Sequence, residues 1–323
     1  MGIAFLALCM SLVAFTIVAT TTSAIVALTW RLLVPRLDRL AARTRERVYL
    51  GLRLAPAIAG LVFVTLFHVP AFLLFEPPDT GERASIKLIA LAACCALPLL
   101  ACARTAWRSW WFTRARVAGW LADAEPLHLD DFSTCPAVAV RAPFPVVAVV
   151  GVFRPFLVVS QAVIDTCSED ELAAILQHEA AHLENRDNLK RLLMFSAPHL
   201  LAGVMLSRSL ERGWQQAAEE VADDRAGAPR ALDLAAALIK VARLAQGCPA
   251  PPATVAAFCQ GGDIDRRVRR LTGGPRRQAG HLSGSTLLAG FAVLAAAAFA
   301  FALQTGALDG LHSVTEVVVR YLQ

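Results

Sequence analysis

The sequence predicts an α-rich integral membrane protein in which four transmembrane helices carry an α+β domain between spans three and four. Three observations lead there. The 323 residues are 56% hydrophobic and only 18% charged, with a mean hydropathy of +0.53. Four windows are apolar enough to cross about 30 Å of hydrocarbon, which takes about 20 residues of helix. The Arg residues gather on one side of those windows. This composition excludes a disordered chain. A secreted disulfide scaffold is excluded as well, because the eight Cys are scattered without CxxC spacing and half lie in apolar runs, as reduced filler.

Gly2 to Trp30 and Leu282 to Leu308 carry no charge, and Leu54 to Phe75 carries only His68. Leu88 to Ala103 is shorter, but Lys87 and Arg104 at its ends can snorkel and lengthen it. The predicted spans are therefore about residues 3–30, 54–75, 86–106 and 281–308. No basic residue precedes the first, and it is too long for a signal-peptide core, so it is expected to remain in the mature protein.

Orientation follows from the Arg. The segment from Arg31 to Arg53 holds Arg31, Arg36, Arg39, Arg43, Arg45, Arg47 and Arg53 against Asp38 and Glu46, whereas Glu76 to Lys87 has three acids and two bases. The first segment is thus a cytoplasmic loop and the second lies outside. Arg104, Arg108, Arg114 and Arg116 after span three agree, as do Arg266, Arg267, Arg269, Arg270, Arg276 and Arg277 before span four. Residues 107–280 are then cytoplasmic, both termini lie outside, and 309–323 form a short extracytoplasmic tail in a cytoplasmic (inner) membrane protein.

The cytoplasmic region opens with the Arg/Trp-rich stretch Trp107 to Trp120, a mixture suited to the membrane interface. Ala137 to Val140, Pro145 to Val152 and Phe156 to Ser160 are Val-rich and broken by Pro143, Gly151 and Pro155, which predicts two or three short strands. From Ser168 the period turns helical, with Ser168 and Glu171 forming an S-x-x-E capping box. Further helices are expected over Glu211 to Ala226 and Ala231 to Gln246. Leu192 to Ser207 is charge-free around Pro198, either a core helix or one dipping into the inner leaflet.

His178-Glu179-Ala180-Ala181-His182 spells H-E-x-x-H on the first of these helices. Residues four apart share a helix face, so both imidazoles can hold one metal ion, and Glu179 reaches the edge of that site without filling a ligand position. A catalytic zinc site has three protein ligands and one open position. Downstream, Glu219, Ala222, Asp223 and Ala226 share a helix face, and Glu220 with Asp224 offers the same spacing one residue later.

H-E-x-x-H followed by E-x-x-A-D-x-x-A resembles the gluzincin membrane metallopeptidases of the M48 and M56 groups. The resemblance implies a zincin-type metallopeptidase domain, a Zn2+ cofactor, Glu219 as third ligand beside His178 and His182, and Asp223 as support for a ligand His. Gly151 to Ser160, Glu169 to Leu172 and His178 to Asp187 look like the stretch leading into the zinc helix of the M56 group, the BlaR-like sensor transducers. Asp187 matches a recurrent Asp of that group. Arg267 to Leu271 resembles its closing R-x-x-x-L element, although topology accounts for the same Arg. The sensor transducers carry a penicillin-binding domain after the last span, where this sequence has only Asp309 to Gln323, so β-lactam sensing is not expected.

The resemblance implies a zinc endopeptidase in which Glu179 takes the proton of a water and returns it to the leaving amine. His199, Arg225 and Arg186 are of the type that stabilises an oxyanion, and none is assigned. The expected substrate is a cytoplasmic or juxtamembrane protein, a repressor-like regulator if the likeness extends to pathway. A quality-control protease of the M48 type and a non-enzymatic membrane scaffold are the alternatives. The expected partners are the bilayer and the protein substrate; no helix-turn-helix stands apart from the membrane flanks, so direct nucleic-acid contact is not foreseen, and the sequence does not fix the oligomeric state.

Overall fold

A computed structural model describes residues 2–37, 39–75, 84–127, 135–198, 203–246 and 261–273, with positions 309, 310, 313 and 317. The predicted fourth span and most of the tail lie outside these residues.

Among the described residues three helical stretches are long and apolar enough to cross a bilayer: Ala4–Trp30, Ala42–Phe75 and Ile86–Leu121. The first belongs to α1 (Gly2–Leu37). Its Thr16, Thr21, Thr22 and Thr29 hydroxyls donate to the carbonyls of Leu12, Ile17, Val18 and Ile25, which satisfies them where no water is at hand. The second comprises α2 (Ala42–Phe63), a π-helical turn (Val64–His68) and α3 (Val69–Phe75). The wide turn comes just before Pro70, whose ring has no N–H for the preceding turn. The third is α4 (Ile86–Leu121), begun by Ser85, whose side chain accepts from the Leu88 amide. Leu6, Cys9 and Met10 pack on Leu88 and Ala92, joining α1 to α4. Large apolar side chains such as Leu28, Leu73 and Ile86 face outward, as lipid contact requires.

The stretch from Arg31 to Arg53, expected as a loop, is almost all helix, because α1 runs on to Leu37 and α2 begins at Ala42. Ala, Arg, Glu and Leu are strong helix formers, and Arg45, Glu46 and Arg53 find the partners described below.

Beyond α4 lies a four-stranded sheet in the order β1-β2-β4-β3, built from β1 (Glu125–Pro126), β2 (Ala137–Val140), β3 (Val147–Val150) and β4 (Phe156–Ser160). β2 runs parallel to β4, while β3 pairs antiparallel to β4 and forms an edge. After α5 (Gln161–Thr166) comes α6 (Glu169–Glu184), opened by the complete Ser168/Glu171 capping box. Next are α7 (Asp187–Ser196), α8 (Gly203–Ala245) and α9 (Gly261–Thr272). The two helices expected over 211–226 and 231–246 are one, since α8 passes through Pro229. Its C-terminal half is held by burial: Leu234, Ala237, Leu238 and Val241 join Ile175 and Leu176 of α6 and Leu157 and Val159 of β4 in the main core. Each fully buried aliphatic side chain contributes roughly 1.5–3 kcal/mol, enough to offset the hydrogen bond that a proline removes.

Candidate metal site

The site sits where α6 crosses α8 under the sheet edge. His178 is fully buried and Glu179 is nearly so. The His178 and His182 Nε2 atoms lie 3.1 Å apart. Glu219 places Oε2 3.4 Å from His178 Nε2 and Oε1 3.7 Å from His182 Nε2. One ligand atom from each of the three residues lies within 4.8 Å of the others. Tetrahedral ligands at zinc's bond lengths of about 2.0–2.1 Å stand roughly 3.3 Å from one another, so the donor set fits such an ion in size and chemistry.

Each histidine is oriented from behind. His178 Nδ1 lies 3.0 Å from Asp223 Oδ1, and His182 Nδ1 lies 2.7 Å from Asp187 Oδ2. A carboxylate at Nδ1 keeps the proton there and leaves the Nε2 lone pair for a cation. Asp187 reaches His182 because the chain reverses at Arg186, the one described non-glycine residue with positive φ, at 53°. Such a conformation costs roughly 1–2 kcal/mol and brings α7 back beside α6.

Electrostatics separate the residues. Burial pushes the Glu179 carboxyl above its ordinary range, against the opposing charges of the two histidines. Burial acts on Glu219 in the same direction, but the Arg267 guanidinium, with Nη1 2.9 Å from Oε2, holds that carboxylate well below its ordinary range. Asp223, also buried, is held low by His178 and by Arg267, which donates to both of its oxygens at 2.6 and 3.0 Å. Burial opposes protonation of His182, yet the bond to Asp187 and the nearby carboxylates bring it to about 9.

Glu220 and Asp224 point elsewhere. Glu220 pairs with Arg45 of α2 and with Arg266 of α9 at 2.8 Å, while Asp224 pairs with Arg270. Arg225 is exposed and bonds Glu184, and His199 lies outside the described residues. Arg186 lines the cleft over the site, about 490 Å³ in volume, together with Gly151 to Phe153 and Asn188. Gly151 has φ +99°, and a side chain there would meet the Arg154 carbonyl at 2.8 Å. The Val149 amide of edge strand β3 donates to Glu179 at 3.2 Å. Arg267 stands out in the sequence through the R-x-x-x-L likeness of Arg267 to Leu271, although topology accounts for the same Arg. Its depth in the site rests on α9 folding onto α8, and no local pattern signals that.

Residues 138–248 match the family model described as peptidase family M48. By this match the segment is similar to metallopeptidases of that family, which are typically dependent on zinc. It contains β2 to the end of α8, and with them His178, Glu179, His182 and Glu219. The match does not reach the finer M56 expectation. No curated protein matches the chain.

Proposed function

We propose that the chain is a membrane-bound zinc endopeptidase that hydrolyses peptide bonds of a cytoplasmic or juxtamembrane protein. The observation that carries this is the conjunction at the crossing of α6 and α8: two Nε2 atoms and a carboxylate spaced for one cation, each histidine backed by a carboxylate, and a buried Glu179 beside them. His178, His182 and Glu219 would hold the ion, whose chemistry is to polarise water and the scissile carbonyl. Glu179, with its raised carboxyl affinity for protons, accepts the water proton and delivers it to the leaving amine. The cleft between α6 and the Gly151 to Phe153 turn takes the peptide. A scaffold would need neither a base nor a ligand set.

The substrate we favour is a regulatory, repressor-like protein, on the likeness of the zinc helix and its approach to the M56 transducers. The M48 match supports a second reading, degradation of damaged membrane proteins, which uses the same residues. The Arg distribution favours a cytoplasmic site in the inner membrane with both termini outside.

The test is Glu179→Gln in the full chain, assayed for zinc content and for proteins that accumulate uncut in cells, with a topology reporter at Pro251 in the same strain. The variant keeps zinc and loses cleavage by at least the 10²- to 10⁴-fold typical of general acid–base catalysis. One accumulating regulator marks the signalling reading and many membrane proteins mark quality control. A wild type that holds zinc and cleaves nothing, with cells indifferent to Glu179→Gln, sinks both readings. An outside reporter at Pro251 overturns the topology.

A further inference from the structure

The membrane-proximal part of α2 carries three charged side chains that are buried or nearly so, and none is spent on solvent. Glu46 is 3% exposed and Arg53 4%. Buried charges persist only where they are paired and hydrogen-bonded. Arg53 donates to the Met194 and Ala197 carbonyls at 2.6 and 3.0 Å, at the C-terminal end of α7, and to Glu211 of α8 at 2.9 Å. Arg45 pairs with Glu220, the neighbour of Glu219. Glu46 accepts from Lys190 of α7 at 2.5 Å, and Lys190 also donates to Asp187 Oδ1 at 3.0 Å. The other oxygen of Asp187 is the one that faces His182 Nδ1. The helices are in close contact: a side chain at Gly213 of α8 would collide with the Tyr49 ring at 2.5 Å. Trp214, Met194 and Ala218 pack against Tyr49, Leu50 and Leu54.

A continuous chain thus runs from the second membrane helix to a histidine of the candidate metal site: Glu46 fixes Lys190, Lys190 fixes one oxygen of Asp187, and the other oxygen fixes the His182 ring. The geometry points to Glu46 as a positioning residue for the metallopeptidase site, acting through Lys190 and Asp187 on His182, so that the seating of membrane helix α2 sets how well the site is assembled. Glu46 lies outside the segment that matches the M48 family. Arg53 completes the device, because it holds the far end of α7 to the same helix and prevents α7 from pivoting about Lys190. Topology alone asks only for cations near the membrane, and it does not account for a buried Glu46 or for cations donating to two carbonyls of α7.

The inference rests on the metallopeptidase reading, and its test separates the two. Full-length protein in detergent is loaded with Co2+, whose visible absorption reports ligand geometry, and is assayed in parallel for zinc affinity and for cleavage. Glu46→Gln preserves shape and Lys190→Met removes the link. Removing a group that orients a ligand histidine lowers metal affinity or activity by about 10- to 100-fold, so Lys190→Met is expected near tenfold and Glu46→Gln at a few-fold, in kcat rather than KM. Both shift the cobalt band at unchanged stoichiometry. The double variant loses no more than Lys190→Met alone, because the two act through one chain and not as independent supports. Wild-type cobalt bands and zinc affinities in both single variants overturn the proposal, and so do losses that add in the double variant. A wild type that binds no cobalt and cleaves nothing overturns the metallopeptidase reading and this proposal together.

Discussion

The two histidines of the site are held in opposite ways. His178 is enclosed: its side chain is fully buried, Asp223 backs it, and Arg267 closes the far side with bonds to both Asp223 oxygens and to Glu219. His182 stands at the rim with a side chain 17% exposed, and it is backed by Asp187, Lys190 and finally Glu46 from a membrane helix. The enclosed arrangement uses Arg, which keeps its proton at any working pH and can serve two carboxylates in one plane. The rim uses Lys, a flexible point charge that solvent can reach. Rigidity and adjustability are therefore divided between two histidines four residues apart on one helix.

The largest test of this comparison is the ligand set itself. Glu219 faces both histidines and Glu220 faces three Arg, so Glu219→Ala is expected to lower zinc affinity by orders of magnitude while Glu220→Ala leaves zinc near stoichiometric. Glu220→Ala instead lowers thermal stability, since it leaves Arg45, Arg266 and Arg270 short of a partner. Zinc titration and melting of both variants decide it. Loss of zinc from Glu220→Ala alone would reverse the facing of α8.

Asp223→Asn and Asp187→Asn compare the two supports directly. Each replaces the carboxylate behind its histidine by a neutral amide, a weaker acceptor that can also turn its NH2 toward the ring, which lowers metal affinity by about 10- to 100-fold. Asp223→Asn is expected at the upper end with a lowered Tm, because Arg267 stays buried and loses the charge of the carboxylate that takes two of its hydrogen bonds. Asp187→Asn is expected at the lower end with a smaller change in Tm, since water can enter at the rim. Equal losses in both would show that enclosure makes no difference.

How much of this was legible follows from the same contrast. The H-E-x-x-H spacing, the capping box and the Val-rich strands are local patterns, so His178, His182, Ser168 and three of the strands could be placed from sequence. Glu219 and Asp223 came from resemblance, and no periodicity distinguishes them from Glu220 and Asp224. Only the packing of α9 and α2 against opposite flanks of α8 assigns Arg266 and Arg45 to Glu220 and Arg267 to Glu219. The Arg of residues 31–53 read from sequence as topology signals in a loop, since charge near a membrane has two explanations. Burial separates them, and burial depends on which helix lands on which. The gap expected between Ala226 and Ala231 contains Pro229, a residue that breaks an unsupported helix, but core contacts on both sides carry α8 through it.

The smallest expected effect lies at the end of α6 farthest from the metal, where it bears on both histidines equally. Glu171 accepts from the Ser168 amide at 2.8 Å and from Lys240 of α8 at 2.7 Å, closing the capping box and tying together the two helices that carry the candidate site. Burial alone would raise its carboxyl, but Lys240 and Ser168 outweigh it and hold the group below its ordinary 4.5. The unfolded chain therefore binds this proton more readily than the folded one. The resulting stability is present in full above pH 4.5 and is lost as pH falls through the lower, folded-state value. Glu171→Gln is expected to cost about 1 kcal/mol near neutral pH, the usual scale for a helix cap, with zinc content unchanged. The gap in Tm between wild type and variant should narrow as pH is taken from 7 to below 4.5, read by melting the full chain in detergent. A gap that stays constant over that range would mean that the carboxylate charge contributes nothing and that the cap acts through shape alone.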